Sequence, residues 1–280
     1  MVKSLLLLMA MAGPAWAAAV ANKPVANLFS KPSIDADVVS QIIYGAAADV
    51  LEDKAGWLRI RMADGYSGWA EAANFLIGDR PYASSGKTAW VESLAAHLYR
   101  EPSVTKHQPV LTVPFETKLE IIAEPADNRR WLRVRLADDR AAWVQRGDLS
   151  FDMAPVSIDA MIGLARRFLG LPYTWGGTSS FGYDCSGYTQ MLCRRRGILM
   201  PRDADIQAVW DGLKPVAKGE LVAGDLLFFG RSAAKITHTG LYIGGGEFIH
   251  ATVNTKPVIQ ISKLAEPTWT SILVACGRAK

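Results

Sequence analysis

Two segments alternate apolar and polar residues with a period of two: Trp57-Leu58-Arg59-Ile60-Arg61 and Trp131-Leu132-Arg133-Val134-Arg135. That alternation predicts strands with one buried face. Both belong to a longer repeat. Asn27-Leu28-Phe29-Ser30-Lys31-Pro32 is matched by His97-Leu98-Tyr99-Arg100-Glu101-Pro102, and Gly68-Trp69-Ala70 by Ala142-Trp143-Val144. The pairs Trp57/Trp131 and Trp69/Trp143 share one offset of 74 residues. Short strands and turns repeated in this way predict two small β-barrels, at 18–80 and 88–150, with the tryptophans in core and rim. Residues 79–87, with Pro81 and Ser84-Ser85-Gly86, read as a first linker, and 151–155 as a second.

After residue 155 the pattern changes. Ser157 to Leu169 is helix-like, and a second helix follows Cys185. Strands are predicted near 225–230, 236–243, 247–252, 257–262 and 271–276, with Gly224-Asp225 as a turn. Helices followed by an antiparallel sheet make this part α+β. Arg194-Arg195-Arg196 suits a helix C-terminus, with Gly197 as the stop.

The candidate chemistry lies in Gly182-Tyr183-Asp184-Cys185-Ser186-Gly187. A thiolate is the attacking species, and a helix start or a nearby imidazolium stabilises it. Asp184 or Ser186 can cap that helix. Two histidines stand downstream, His238 in T-H-T-G-L-Y-I and His250 in E-F-I-H-A-T, separated by Gly244-Gly245-Gly246. With Ile243 paired to Glu247 across a glycine hairpin, Gly240 faces His250. The two histidines then share one face as diagonal neighbours, with Cα atoms roughly 7–8 Å apart. One imidazole serves as base and the other orients it. A slip of one residue would separate them.

Taken together, L-P-Y-T-W-G-G, Y-D-C-S-G-Y, P-R-D-A-D-I-Q, G-D-L-L-F-F, T-H-T-G-L-Y-I-G and E-F-I-H-A, in this order over 155–280, resemble NlpC-type papain-like peptidoglycan cysteine endopeptidases. The resemblance implies a papain-like fold, Cys185 as nucleophile, His238 as base, His250 as its partner, and Tyr173 beside the thiol in the oxyanion site. The N-terminal units resemble bacterial SH3-like domains. Asp64-Gly65-Tyr66-Ser67-Gly68-Trp69 is similar to a subgroup that cleaves γ-D-glutamyl-diamino acid bonds in short muropeptides. That similarity implies that Tyr66, Asp184 and Ser186 hold the free amine of an N-terminal L-alanine. Arg202 and Asp203 either pair with each other or line the cleft. Ala204 stands where related sequences can carry serine, so the resemblance does not carry over the substrate contact such a serine would make.

Composition narrows the reading. The chain has 280 residues, 50% hydrophobic and 21% charged, with a formal charge of +4. This is a globular balance. It offers no basic run for nucleic acid and only a weak pull toward anionic wall material. Lys3, the apolar run Leu5–Ala12 and Ala15-Trp16-Ala17 form a leader with a cleavage site, so residues 1–17 are read as a signal peptide. The run is short for a membrane span, and the mature protein is expected to be periplasmic or secreted without stable membrane insertion. The three cysteines are Cys185, Cys193 and Cys276; the last two are either buried thiols or a pair. A Cys185/His238/His250 zinc site is the alternative to nucleophilic catalysis. The preferred reading needs neither metal nor cofactor and takes peptidoglycan stem peptides or muropeptides as substrate. The alternatives are an inactive wall-binding module, or an amidase or acyltransferase on the same scaffold.

Overall fold

The computed structural model describes residues 18–78 and 81–280; the predicted leader, 1–17, and residues 79 and 80 of the first linker lie outside the described residues. The first β unit comprises β1 (Ala18–Ala21), β2 (Val25–Phe29), β3 (Val38–Ile43), β4 (Ala47–Lys54), β5 (Trp57–Arg61), β6 (Ser67–Glu71) and β7 (Phe75–Gly78). The second comprises β8 (Thr88–Val91), β9 (Ala95–Leu98), β10 (Leu111–Pro114), β11 (Lys118–Ala123), β12 (Trp131–Arg135), β13 (Ala141–Gln145) and β14 (Leu149–Ser150). The strand order is β3-β2-β6-β5-β4-β1-β7 in one, and β10-β9 followed by β13-β12-β11-β8-β14 in the other. A bridge between Tyr99 and Trp143 joins the two parts of the second unit. The orders correspond strand for strand, so the sequence repeat is a repeat of topology. Packing repeats as well: Trp57 meets Phe29 edge-on at 5.6 Å, and Trp131 meets Tyr99 at 5.6 Å. Leu58, Ile60, Leu132 and Val134 are buried while Arg59 and Arg133 are exposed, as the alternation requires.

The units dock head to tail through equivalent turns. Tyr44, after β3, enters the core of the second unit, where its hydroxyl accepts from the Ala137 N–H at 2.7 Å. Phe115, after β10, enters the core of the C-terminal domain, 5.3 Å from Phe168. The next residue is left-handed in both turns, Gly45 at φ 76° and Glu116 at φ 67°. A side chain costs about 1–3 kcal/mol there. Glu116 offsets that cost by accepting from Arg194 at 2.5 and 3.1 Å. Arg194 therefore ties two domains together, which its place in a basic helix end did not reveal. Part of the predicted first linker is packed into a core. Tyr82 and Ala83 are buried in the second unit, and the Tyr82 hydroxyl donates to the Arg135 carbonyl at 2.5 Å.

The C-terminal domain contains α1 (Ile158–Arg167), the short strands β15 (Thr178–Ser179) and β16 (Gly182–Tyr183), α2 (Cys185–Arg195) and α3 (Ala204–Ala208). Then come β17 (Leu213–Pro215), β18 (Leu226–Ser232), β19 (Lys235–Gly244), β20 (Glu247–Thr252), β21 (Val258–Lys263), α4 (Pro267–Thr270) and β22 (Leu273–Ala279). The sheet order is β17-β22-β18-β19-β20-β21. Leu226, Phe228, Leu241 and Ile249 share a core with Met161 of α1 and Met191 of α2. Leu227, Phe229 and Phe248 form a second cluster with Trp269. Cys193 lies in the first cluster and Cys276 in the second, and all three cysteines are free and buried. Among the described residues no helix is long and apolar enough to cross a membrane.

Candidate active site

Cys185 is the first residue of α2. Asp184 is the N-cap, and its Oδ1 accepts from the Gly187 N–H at 2.7 Å. Gly187 is needed there, because a Cβ would come within 2.2 Å of the Gly177 carbonyl oxygen. The cap leaves the first N–H groups of the helix facing the thiol end, where the helix dipole favours negative charge. Burial pushes the Cys185 thiol up to about 12, with the Asp184 charge adding to it. The backbone N–H groups of Thr239 and Ser186 and the Arg202 charge oppose that rise. The resting group is therefore a neutral thiol, set against the residue that follows His238.

The histidines meet as the hairpin register required. His238 Nε2 and His250 Nδ1 are 2.7 Å apart, and His250 Nε2 lies 3.1 Å from Ser262 Oγ. Leu241 pairs with Ile249, the register that sets Gly240 against His250; a Cβ on Gly240 would lie 3.1 Å from His250 Cβ. The turn end differs from expectation: Glu247 pairs with Gly244 rather than Ile243, across a bulge in which all three glycines have positive φ. The bulge absorbs one residue next to the turn and leaves the histidine register intact. If His238 donates from Nε2 to His250 Nδ1, and His250 donates from Nε2 to Ser262, then His238 Nδ1 keeps a lone pair and is a base. Both His250 nitrogens are then engaged, which leaves it no lone pair for a metal. Burial lowers His238 to about 4, and burial followed by the His238 charge keeps His250 below its ordinary value. Trp269 stacks on His238 at 5.4 Å and meets His250 edge-on at 4.8 Å. Ser262 and Trp269 carried no sequence signal, since they lie in other elements and no motif includes them.

A cleft of about 680 Å³ opens over Cys185, lined also by Tyr66, Tyr173, Trp175, Asp184, Ser186, Arg202 and Asp203. All the predicted substrate residues thus converge, although Tyr66 comes from the first β unit. Asp37, Val38 and Val39 of that unit complete the wall. Arg202 is buried and pairs with Asp184, not with its neighbour Asp203. Its Nη1 and Nη2 donate to Asp184 Oδ1 and Oδ2 at 3.1 and 2.6 Å. Nη1 also donates to Ser186 Oγ at 2.9 Å, and Nε to Ser40 Oγ of β3 at 3.1 Å. Burial works against the guanidinium charge, but Asp184 holds its pKa above the ordinary value. Asp184 and Ser186 therefore both pair with Arg202 while still lining the cleft, and Asp203 is a second carboxylate, beside the Tyr66 hydroxyl. Burial raises Asp203 while Arg202 opposes the shift. Burial and the Asp203 charge push Tyr66 up to about 12. Tyr173 is raised by burial and then by the Cys185 and Asp184 charges, and it stays a neutral hydrogen-bond donor.

Both parts of the chain resemble known proteins. Residues 170–278 match the NlpC/P60 family, and residues 28–74 match the bacterial dipeptidyl-peptidase Sh3 domain. The chain is 33% identical over 229 residues to a gamma-D-glutamyl-L-lysine dipeptidyl-peptidase of Bacillus cereus, covering 76% of this chain and 66% of that protein, just under two thirds. It is 29% identical over 256 residues to the Bacillus subtilis protein of the same name, covering 86% of this chain and 81% of that one. The crystal structure of an NlpC/P60 family protein from Bacillus cereus superposes with a TM-score of 0.80 at 25% identity, covering 94% of this chain and 99% of the other. Residues 170–278 of this chain are an NlpC/P60 domain.

Proposed function

We propose that this protein is a cysteine endopeptidase that hydrolyses the γ-D-glutamyl-diamino acid bond of cell-wall peptides and favours stems with a free N-terminal L-alanine. The observation that carries the reading is the cleft itself: a helix-start thiol, Tyr66 and Asp203 line one space, and the histidine pair begins at the residue after Thr237 of the cleft wall. The relatives named for γ-D-glutamyl-L-lysine cleavage support the bond type.

In this reading His238 Nδ1 takes the Cys185 proton as Sγ attacks the γ-carbonyl carbon. Helix-start N–H groups and the Tyr173 hydroxyl donate to the developing oxyanion. The C–N bond breaks, His238 returns the proton to the departing diamino-acid amine, and a thioester remains. Water then attacks the thioester carbon and loses a proton to His238; the C–S bond breaks, the γ-D-glutamyl carboxylate is released and the proton returns to Cys185 Sγ. Tyr66 and Asp203 hold the alanine ammonium, on a floor of Asp184, Ser186 and Arg202. The leader at 1–17 supports a periplasmic or secreted location, where such substrates occur.

The test is mass spectrometry of L-Ala-γ-D-Glu-L-Lys and its N-acetylated form after incubation with the mature protein. Acetylation removes the ammonium charge and should lower kcat/KM by about ten- to a hundredfold, the cost of one charge-assisted contact. Equal cleavage of the two peptides would remove the free-amine preference. No cleavage of either would remove the endopeptidase reading.

A further inference from the structure

Asp64 stands two residues before Tyr66 and uses its two carboxylate oxygens in different directions. Oδ1 accepts from the Tyr66 backbone N–H at 2.9 Å. Oδ2 accepts from Gln190 Nε2 at 2.9 Å. Gln190 is buried on α2, the helix that begins at Cys185, and its Nε2 also donates to the Met200 carbonyl at 2.9 Å. A short path therefore runs from the nucleophile helix through Gln190 and Asp64 to the backbone of the cleft tyrosine. We propose that Asp64 and Gln190 are positioning residues that fix Tyr66 relative to Cys185, and so set how well the cleft discriminates the amine end of its substrate. The inference rests on the free-amine reading given above.

The second β unit is an internal control. Asp138 Oδ1 accepts from the Arg140 N–H at 3.3 Å, so the same turn forms there. Its Oδ2 accepts from Arg140 Nε at 2.8 Å, within the same loop. The turn closes without an outside partner, so the Asp64–Gln190 bond is not needed to shape it. What that bond adds is a fixed distance between two domains. Positioning of this kind acts through geometry, and small misplacements weaken recognition.

Gln190→Glu is the decisive variant. It keeps the size of the side chain and leaves the Asp64–Tyr66 turn intact, but sets a carboxylate against Asp64. Steady-state kinetics on L-Ala-γ-D-Glu-L-Lys and its N-acetylated form should show KM for the free peptide raised about tenfold, as loss of a charge-assisted bond predicts. The acetylated peptide should change little, so the ratio between the two shrinks. Asp64→Ala should do the same, and either variant combined with Tyr66→Ala should add nothing beyond Tyr66→Ala alone. Titration of Cys185 with iodoacetamide should proceed at the wild-type rate, which a disrupted helix would not allow. If Gln190→Glu and Asp64→Ala leave the ratio unchanged in a wild-type background that discriminates, the inference is wrong. Equal loss on both peptides with slowed alkylation would also overturn it, by making Gln190 a packing residue of α2. A wild-type enzyme that fails to discriminate would instead bring down the free-amine reading.

Discussion

The two β units share a strand order, an aromatic pair and a docking turn, yet they serve the C-terminal domain in opposite ways. The first reaches it with polar groups in and beside the cleft. Ser40 holds Arg202, Asp64 holds Gln190, Thr178 bonds Gln41 at 3.1 Å, and Tyr66 enters the substrate space. The second reaches it with a buried aromatic ring. Phe115 joins the catalytic core, Glu116 pairs with Arg194, and the Phe115 N–H donates to Ser180 Oγ at 2.9 Å. One backbone thus walls the cleft in one copy and braces the core of the C-terminal domain in the other. The difference lies in a few side chains at turns, where a residue's neighbour is chosen by docking and not by the strand it follows.

The chemistry that neither unit can replace gives the largest expected effect. Cys185→Ala should abolish turnover with both peptides while the thermal unfolding midpoint stays close to wild type, because the covalent bond forms at that sulfur. His238→Ala should lower kcat by about 10²–10⁴-fold, the usual share of general base catalysis, and His250→Ala by less, since it only orients the base. A wild-type rate in His250→Ala would remove it from the site.

Removing the brace comes next. Phe115→Ala should cost about 3–5 kcal/mol of stability in urea unfolding, as for other buried phenylalanines. It should leave the ratio of free to acetylated peptide unchanged. A shift in that ratio would break the division of labour between the units. Tyr66→Ala should do the reverse: the ratio should fall by about tenfold or more, with little change in unfolding. Arg140→Ala, at the equivalent turn of the second unit, should change neither ratio nor turnover, and stability by no more than about 0.5 kcal/mol.

The pH dependence separates site from scaffold more gently. The proposed mechanism needs neutral His238, and burial lowers its pKa to about 4. The acid limb of kcat/KM should therefore lie well below that of a free imidazole, near pH 6.5. In the unfolded chain the same histidine binds a proton near pH 6.5, while the folded state refuses it until about pH 4. The unfolded state then holds more protons, so stability should fall as pH drops through that window. An acid limb near pH 6.5 in the wild type would mean that His238 is solvated.

Much of this site was legible before folding was considered. The period-two segments, the glycine hairpin and the D-C-S-G helix start are short-range signals, set by backbone geometry within a few residues. They were enough to place Cys185 on a helix start and the two histidines on one face, and the ordered motifs around them pointed to the family. The repeat at 74 residues likewise foretold two units of one topology. What tertiary structure alone decided is which side chains meet across domains. Arg202 chose Asp184 over its neighbour Asp203, because the buried guanidinium found both carboxylate oxygens within reach at 3.1 and 2.6 Å. Asp64 and Gln190 are 126 residues apart, and Ser40 and Arg202 are 162 apart. Ser262 and Trp269 joined the histidines from elements with no motif of their own. Such contacts depend on how whole units dock, and docking is fixed by buried rings such as Tyr44 and Phe115, whose sequence neighbours do not state where they will insert.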